Sequence, residues 1–180
     1  MIRLIKRIPR RILVNKIVSN QNQERTFRSS ACLRMEAVDK GELRTKLTPM
    51  QYHVTQERGT ERPFTGCYDK FYEEGTYICV VCEQPLFSSN TKYDSGCGWP
   101  AFNDVLERGK VKLTPDTSGV GGNLLLLISQ PGRIRTEVSC SKCNAHLGHV
   151  FDDGPAPTRK RFCINSASIS FITGGSGNES

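Results

Sequence analysis

From residue 76 onward the hydrophobic pattern is one of short β-type runs. Residues 76–81, 110–113, 124–128, 134–138, 149–151, 161–164 and 168–172 are rich in β-branched, aromatic or alternating apolar side chains, with Gly, Pro, Asn and Asp between them. The stretch before them reads differently. Asp39 stands where an N-cap would open a short helix over 40–47, which stops before Pro49. Thr48-Pro49 then supplies a second cap with Pro at the first helical position, predicting a helix through residue 56. Helices first and many short strands after them predict a mainly antiparallel β fold with helices at one end. A chain of 180 residues suits one domain of ordinary size. Its longest apolar run, Leu124-Leu125-Leu126-Leu127-Ile128, is far too short to span a bilayer.

Charge divides the chain. Of the formal net charge of +7, residues 1–35 carry +8, from nine Lys/Arg and the single acid Glu24. The remaining body is −1, which offers no basic face for nucleic acid. Bases interleaved with Ile, Leu and Val, an almost acid-free composition and Ser29-Ser30 predict a mitochondrial transit peptide over residues 1–34. A disordered basic tail is the plainer alternative, and Pro9 would interrupt one long helix there. Met35 offers a second start, giving a cytosolic or nuclear form. The folded domain is placed at residues 35–173. Residues 174–180, Gly-Gly-Ser-Gly-Asn-Glu-Ser, have nothing to bury and are expected to form a flexible tail.

The eight cysteines bring in chemistry. Cys79-Val80-Val81-Cys82 and Cys140-Ser141-Lys142-Cys143 are two Cys-x-x-Cys pairs. A tight turn points both sulfurs of such a pair at one ion, and two pairs complete a tetrahedral Zn²⁺ site of four thiolates. With every position filled by protein, that zinc is structural. Redox pairs or disulfides compete with this reading, but a mitochondrial or cytosolic compartment disfavours structural disulfides. Four cysteines remain. Cys32 lies in the transit segment, and Cys67 has no distinguishing context. Cys163, beside Arg159, Lys160 and Arg161, is favoured as a thiolate by the adjacent positive charge. Taken alone it reads better as a buried, inert thiol. Cys97 stands between Gly96 and Gly98, two residues before the only Trp, Trp99, which fits either a mobile reactive loop or a tight turn around a core Trp. His146-Leu147-Gly148-His149 places two histidines three apart: on opposite faces of a regular strand, or converging if the chain bends at Gly148.

Several segments, in order, resemble one family: Arg62-Pro63-Phe64-Thr65-Gly66, both Cys-x-x-Cys pairs, Gly96-Cys97-Gly98-Trp99-Pro100-Ala101-Phe102, Arg135-Thr136-Glu137-Val138, the run from His146 to Pro155, and Arg161-Phe162-Cys163-Ile164-Asn165-Ser166. Residues 42–172 are similar to B-type methionine sulfoxide reductases, the class acting on the R epimer. The resemblance implies a compact, barrel-like fold of two antiparallel sheets with short N-terminal helices and a structural zinc held by Cys79, Cys82, Cys140 and Cys143. It implies Cys163 as the nucleophile that takes the sulfoxide oxygen as a sulfenic acid. Cys97 is implied as the resolving thiol, forming a Cys97–Cys163 disulfide that thioredoxin reduces, with Cys67 as a fallback. His146 and His149 would supply or position the proton, Trp99 would face the substrate methyl, Asn165 would hydrogen-bond near the reacting centre, and Arg161 would stabilise the thiolate. The implied partners are oxidised proteins and thioredoxin. A monomer is expected, without nucleic acid or membrane.

Two features depart from the family pattern. Phe162 stands where Tyr is common, removing a hydroxyl beside the nucleophile. Residues 119–132 look like an insertion, read either as a lengthened hairpin or as an apolar strand at the substrate lip. Two other classes compete: a zinc-ribbon-like binding module, which leaves Cys163, Cys97, Trp99 and the histidines unexplained, and a thioredoxin-like oxidoreductase, which lacks the expected strand–helix alternation.

Overall fold

The computed structural model describes residues 40–121, 124–129 and 134–174. The predicted transit segment, Asp39, Cys32, part of the proposed insertion and residues 175–180 lie outside them.

Two short helices open the described chain, α1 (Lys40–Lys46) and α2 (Pro49–Glu57). The second begins where the sequence predicts. Thr48 Oγ1 accepts from Gln51 N–H and Gln51 Oε1 accepts from Thr48 N–H, a reciprocal capping box ahead of Pro49. The strands that follow are β1 (Gly75–Cys79), β2 (Pro85–Ser88), β3 (Lys92–Tyr93), β4 (Ala101–Phe102), β5 (Val111–Asp116), β6 (Arg135–Cys140), β7 (His146–Phe151), β8 (Arg161–Ile164) and β9 (Ile169–Thr173). They form two antiparallel sheets, of three strands in the order β2-β1-β9 and six in the order β3-β4-β8-β7-β6-β5. Both orders are linear, so the expected two-sheet β architecture is present, with pairing that does not close into a barrel among the described residues.

One expected element is of the wrong type. Residues 124–128, predicted as a strand, belong to a helix, α3 (Leu124–Ser129), in the connection between β5 and β6. A five-residue apolar run has no period that separates strand from helix. Four consecutive leucines, unbranched at Cβ, lose little rotamer freedom in a helix, and among the described residues the segment belongs to neither sheet. Its Leu125 and Ile128, three apart and so on one face of the helix, are 76% and 71% exposed.

Aromatic side chains join the sheets. Phe87 of β2 stacks on Phe102 of β4 with centroids 4.5 Å apart, Tyr77 of β1 meets Phe102 edge-on at 5.0 Å, and all three are fully buried. Phe162 of β8 joins this cluster, tilted against Phe87 at 5.8 Å. Burial then alternates along β8, with Phe162 and Ile164 inward and Arg161 and Cys163 on the outer face. The phenylalanine at position 162 therefore points into the core, away from the thiol it neighbours in sequence.

Candidate active site and metal centre

The two Cys-x-x-Cys turns are built alike. Cys79 O accepts from Glu83 N–H and Cys140 O from Asn144 N–H, both at 2.9 Å. Cys79 N–H donates to Gln84 O and Cys140 N–H to Ala145 O, also at 2.9 Å. Glu83 and Asn144 take the same left-handed backbone, with φ of 59° and 58°. The Gln84 amide ties one turn to the other through Lys110 O at 2.7 Å and Ser141 Oγ at 3.0 Å. All four sulfurs lie within 4.8 Å of one another, and the Cys79–Cys143 and Cys82–Cys140 separations are 3.6 Å. Zn–S bonds of about 2.3 Å imply tetrahedral sulfur–sulfur edges of about 3.8 Å, so the donor set fits such an ion. Crowding splits the thiols: hydrogen bonds from Cys143 and Cys79 lower Cys140, and one from Cys79 lowers Cys82 to about 7. Cys79 is pushed up by its sulfur neighbours. Because β1 and β6 belong to different sheets, an ion held here fastens one sheet to the other.

The second cysteine cluster lies on the outer face of the larger sheet. Register places Cys163 of β8 directly opposite His149 of β7, and His149 opposite Glu137 of β6. Directly paired residues share a face, so these three side chains form one row across the sheet. The histidine pair is made by a bulge. Val138 pairs with Gly148 but Ser139 pairs with His146, so Leu147 is an extra residue on β7. That insertion brings His146 onto the face of His149, with ring centroids 5.4 Å apart. Three hydrogen bonds converge on the displaced Leu147 O, from Asn165 N–H and Asn165 Nδ2 at 2.9 Å and from Ser168 Oγ at 3.2 Å.

Each histidine has its own carboxylate. His146 Nδ1 donates to Glu137 Oε1 at 2.8 Å, and Glu137 also meets Arg58 Nε at 3.4 Å. His149 Nε2 donates to Asp116 Oδ2 at 2.8 Å, and the same oxygen accepts from Arg135 at 3.0 Å. The environments differ. His146 is 2% exposed and its Nε2 has no partner, and burial, opposed by Glu137, lowers its pKa so that it rests neutral. Burial tends to raise Asp116, but Ser118, His149 and Arg135 outweigh it and hold the carboxyl well below its usual range. His149 lines an open cleft of about 100 Å³ together with Thr60, Trp99, Arg135, Cys163 and Asn165. His146 is not among the residues of that wall.

Cys97 reaches Cys163 from a loop beside this cleft. Asp94 Oδ1 accepts from Gly96 N–H at 3.0 Å, and Gly96 and Gly98 have φ of +70° and +85°, which only glycine adopts freely. The loop sets Cys97 Sγ 3.4 Å from Cys163 Sγ, so the two thiols already touch. Burial and then the neighbouring Cys97 push the Cys163 thiol up to about 12, against the opposing pull of Arg161. Burial also acts to raise Cys97, but hydrogen bonds from Ser95 (Oγ at 3.0 Å), the Trp99 backbone and Cys163, with Arg161 nearby, bring it below the usual thiol value. In the resting arrangement Cys97 is thus the more acidic sulfur. Arg161 grips Asp153 through two bonds of 2.8 Å and lies over the Phe151 ring at 4.4 Å.

Of the residues expected in a reactive site, Cys163, His149, Trp99 and Asn165 line one cleft, and Cys97 touches Cys163 from beside it. Cys97 is the cysteine in contact with Cys163; Cys67 is exposed. Asn165 lines the cleft with its amide bonded to the frame, Nδ2 to Leu147 O and Oδ1 to Glu61 N–H at 3.1 Å. Asp116, Glu137 and Glu61 were not singled out from sequence. Glu137 lies within a recognised segment, but only strand register reveals that it and Asp116 serve two different histidines.

The family model described as "SelR domain" matches residues 47–173. Over 135 residues the chain is 73% identical to Methionine-R-sulfoxide reductase B1 of Drosophila melanogaster, covering 75% of this chain and 65% of that protein. It is 56% identical over 130 residues to Methionine-R-sulfoxide reductase B3, mitochondrial, of Mus musculus, covering 72% and 47% respectively. Peptide methionine sulfoxide reductase MsrB of Hahella chejuensis is 52% identical over 130 residues, covering 72% of this chain and 85% of its own length. The chain therefore spans less than two thirds of the first two relatives and most of the bacterial one. With a match running through both cysteine pairs, the bulged histidine strand and the Cys97–Cys163 contact, the chain belongs to the SelR family.

Proposed function

We propose that the protein reduces methionine-R-sulfoxide in oxidised proteins, and also as the free amino acid, to methionine. The observation that carries this reading is the 3.4 Å contact of Cys97 with Cys163, which itself lines one cleft with His149 and Trp99. The Cys163 thiolate attacks the sulfoxide sulfur, the oxygen takes up a proton, and methionine leaves with Cys163 oxidised to a sulfenic acid. His149 is the proton donor when both its ring nitrogens carry protons: Nε2–H is held by the Asp116 carboxylate and Nδ1–H is given to the substrate oxygen. Buried His146, tied to Glu137, supports the His149 ring. The Trp99 indole is the apolar wall for the substrate methyl, and Arg161 lowers the charge penalty of a thiolate at Cys163.

Cys97 then attacks the sulfenic sulfur, water leaves, and a Cys97–Cys163 disulfide forms. The sulfurs need approach only from 3.4 Å to about 2.05 Å. A dithiol reductant, thioredoxin, returns both cysteines to thiols by exchange. Zn²⁺ is the ion we assign to Cys79, Cys82, Cys140 and Cys143, where it supplies structural cross-linking. Residues 1–34 are proposed to direct the chain to mitochondria, in keeping with the mouse relative's name, and the domain acts as a monomer. Adding one equivalent of a methionine-R-sulfoxide peptide to the reduced protein and mapping disulfides by mass spectrometry tests the chemistry. Cys97–Cys163 is the expected bond; a bond to Cys67, or none, contradicts this route.

A further inference from the structure

Glu61 belongs to no helix or strand, yet it makes four hydrogen bonds, joining Trp99 of the cleft to the segment 165–167 that carries Asn165. Its C=O accepts from Trp99 Nε1 at 3.2 Å. Its N–H donates to Asn165 Oδ1 at 3.1 Å. Its carboxylate accepts from two consecutive backbone groups, Ser166 N–H at 2.6 Å and Ala167 N–H at 3.0 Å. Those amides open the 3₁₀ turn Ser166–Ser168, where the Asn165 side chain makes no capping bond and the N–H groups would otherwise lack partners. Only 6% of Glu61 is exposed, so these charge-assisted bonds are shielded from water. The fit is close: a Cβ on Gly66 would lie 2.7 Å from Glu61 Oε1 and 2.2 Å from Ser166 Oγ.

Each of these bonds leads to a part of the proposed chemistry. Trp99 is the wall for the methyl. Asn165 follows Cys163 by two residues and, through Leu147 O, holds the bulge that brings the two histidines together. The R epimer is recognised by the angle between its methyl group and its oxygen about the sulfur that Cys163 attacks. A residue bonded both to the methyl wall and to the frame of the nucleophile and proton donor sets that angle.

We propose that Glu61 is a positioning residue for substrate orientation, coupling the Trp99 wall to the Cys163–His149 wall. The inference rests on the reductase reading given above. Its carboxylate fastens residue 61 to the 166–167 amides, and its backbone carbonyl in turn fixes the indole. Replacing the carboxylate by an amide keeps one acceptor and turns an N–H₂ donor toward the other backbone N–H, which loosens the loop and leaves one of the two amides unpaired.

The test uses the full chain as wild type, Glu61→Gln and Gly66→Ala, the last of which disturbs the clamp while keeping the carboxylate. Trp99 is the only tryptophan, so intrinsic fluorescence reports this wall alone. Both variants should show red-shifted, more readily quenched Trp99 emission. KM for methionine-R-sulfoxide should rise about tenfold in Glu61→Gln while kcat changes less than about threefold, the signature of lost substrate positioning. If Glu61→Gln does not fold, Gly66→Ala decides by the same readouts. Unchanged emission and KM with a lowered Tm would overturn the proposal, leaving Glu61 a stability cap, as would a fall in kcat at constant KM or failure of both variants to fold. Absence of R-epimer turnover in wild type is seen before any variant is compared, and overturns the underlying reading and this inference together.

Discussion

At the scale of single residues, the site works by giving like side chains unlike surroundings. Two thiols 3.4 Å apart divide so that Cys163 rises to about 12 and Cys97 falls. Part of the Cys163 shift comes from Cys97 itself, so Cys97→Ser should increase the Cys163 thiolate fraction near neutrality. In single-turnover measurements of methionine formation, the acid-side limb of the pH profile should move to lower pH; an unmoved limb would show that burial alone sets the shift. The histidines divide in the same way. His149→Gln should reduce turnover about a hundredfold, in the range for loss of a general acid. Asp116 carries a sign that can be worked out. Its carboxyl is depressed when folded, so its contribution to stability is complete above the unfolded value of about 3.9 and fades as pH falls through the lower folded value. Asp116→Asn should therefore lower Tm more at pH 7 than at a pH of about 2, where the unfolded state already binds the proton and part of the contribution is gone. An equal loss at both pH values would exclude this linkage.

At the scale of elements, β7 is the decisive piece. Leu147 bulges, and Gly148 passes so close to β8 that a Cβ there would lie 2.1 Å from Cys163 O and 3.0 Å from Ile164 Cα. Gly148→Ala must part β7 from β8 and should cost about 2–3 kcal/mol or more, read as a lower urea midpoint, with activity falling alongside. Near-wild-type stability would mean that the strands are not held this closely. Much at this level was legible in the sequence. The Thr48-Pro49 cap marks the start of α2 correctly, and the β-type run at residues 161–164 is β8, although the residues alone favour a buried thiol where β8 turns Cys163 to its outer face and Phe162 inward. β3 and β4 are two residues each, too short to show a period, and β2 starts with Pro85 at a sheet edge. The leucine run of α3 misleads because its length fits either element. The bulge was legible only as a choice, since whether His146 and His149 converge depends on how β7 registers with β6. For the same reason Asp116 and Glu137 could not be matched to their histidines, and Glu61 bonds residues more than 100 positions away.

At the scale of the whole molecule, the two sheets share an aromatic core and the four-cysteine centre. Gln84 and the paired turns shape that centre, but without an ion the four crowded thiols cannot all ionise: Cys140 and Cys82 are lowered at the expense of Cys79, which is pushed up. Metal binding thus couples to folding. The reduced protein should contain one zinc per chain by elemental analysis. Stripping it with a chelator, or substituting Cys140→Ser, should lower Tm by 10 °C or more, on the order of several kcal/mol. Residual R-sulfoxide turnover should track the fraction folded, because the reactive thiols are not ligands. Full stability without metal would contradict a structural role.

The central claim joins these scales: one row of side chains across a bulged sheet, held by distant residues and a metal clasp, reduces one epimer of methionine sulfoxide. The most direct test is thioredoxin-dependent reduction of the separated R and S epimers by the full chain, beside Cys163→Ser. The account predicts turnover of the R epimer alone, abolished in Cys163→Ser. Turnover of the S epimer, or R turnover that survives in Cys163→Ser, would contradict it.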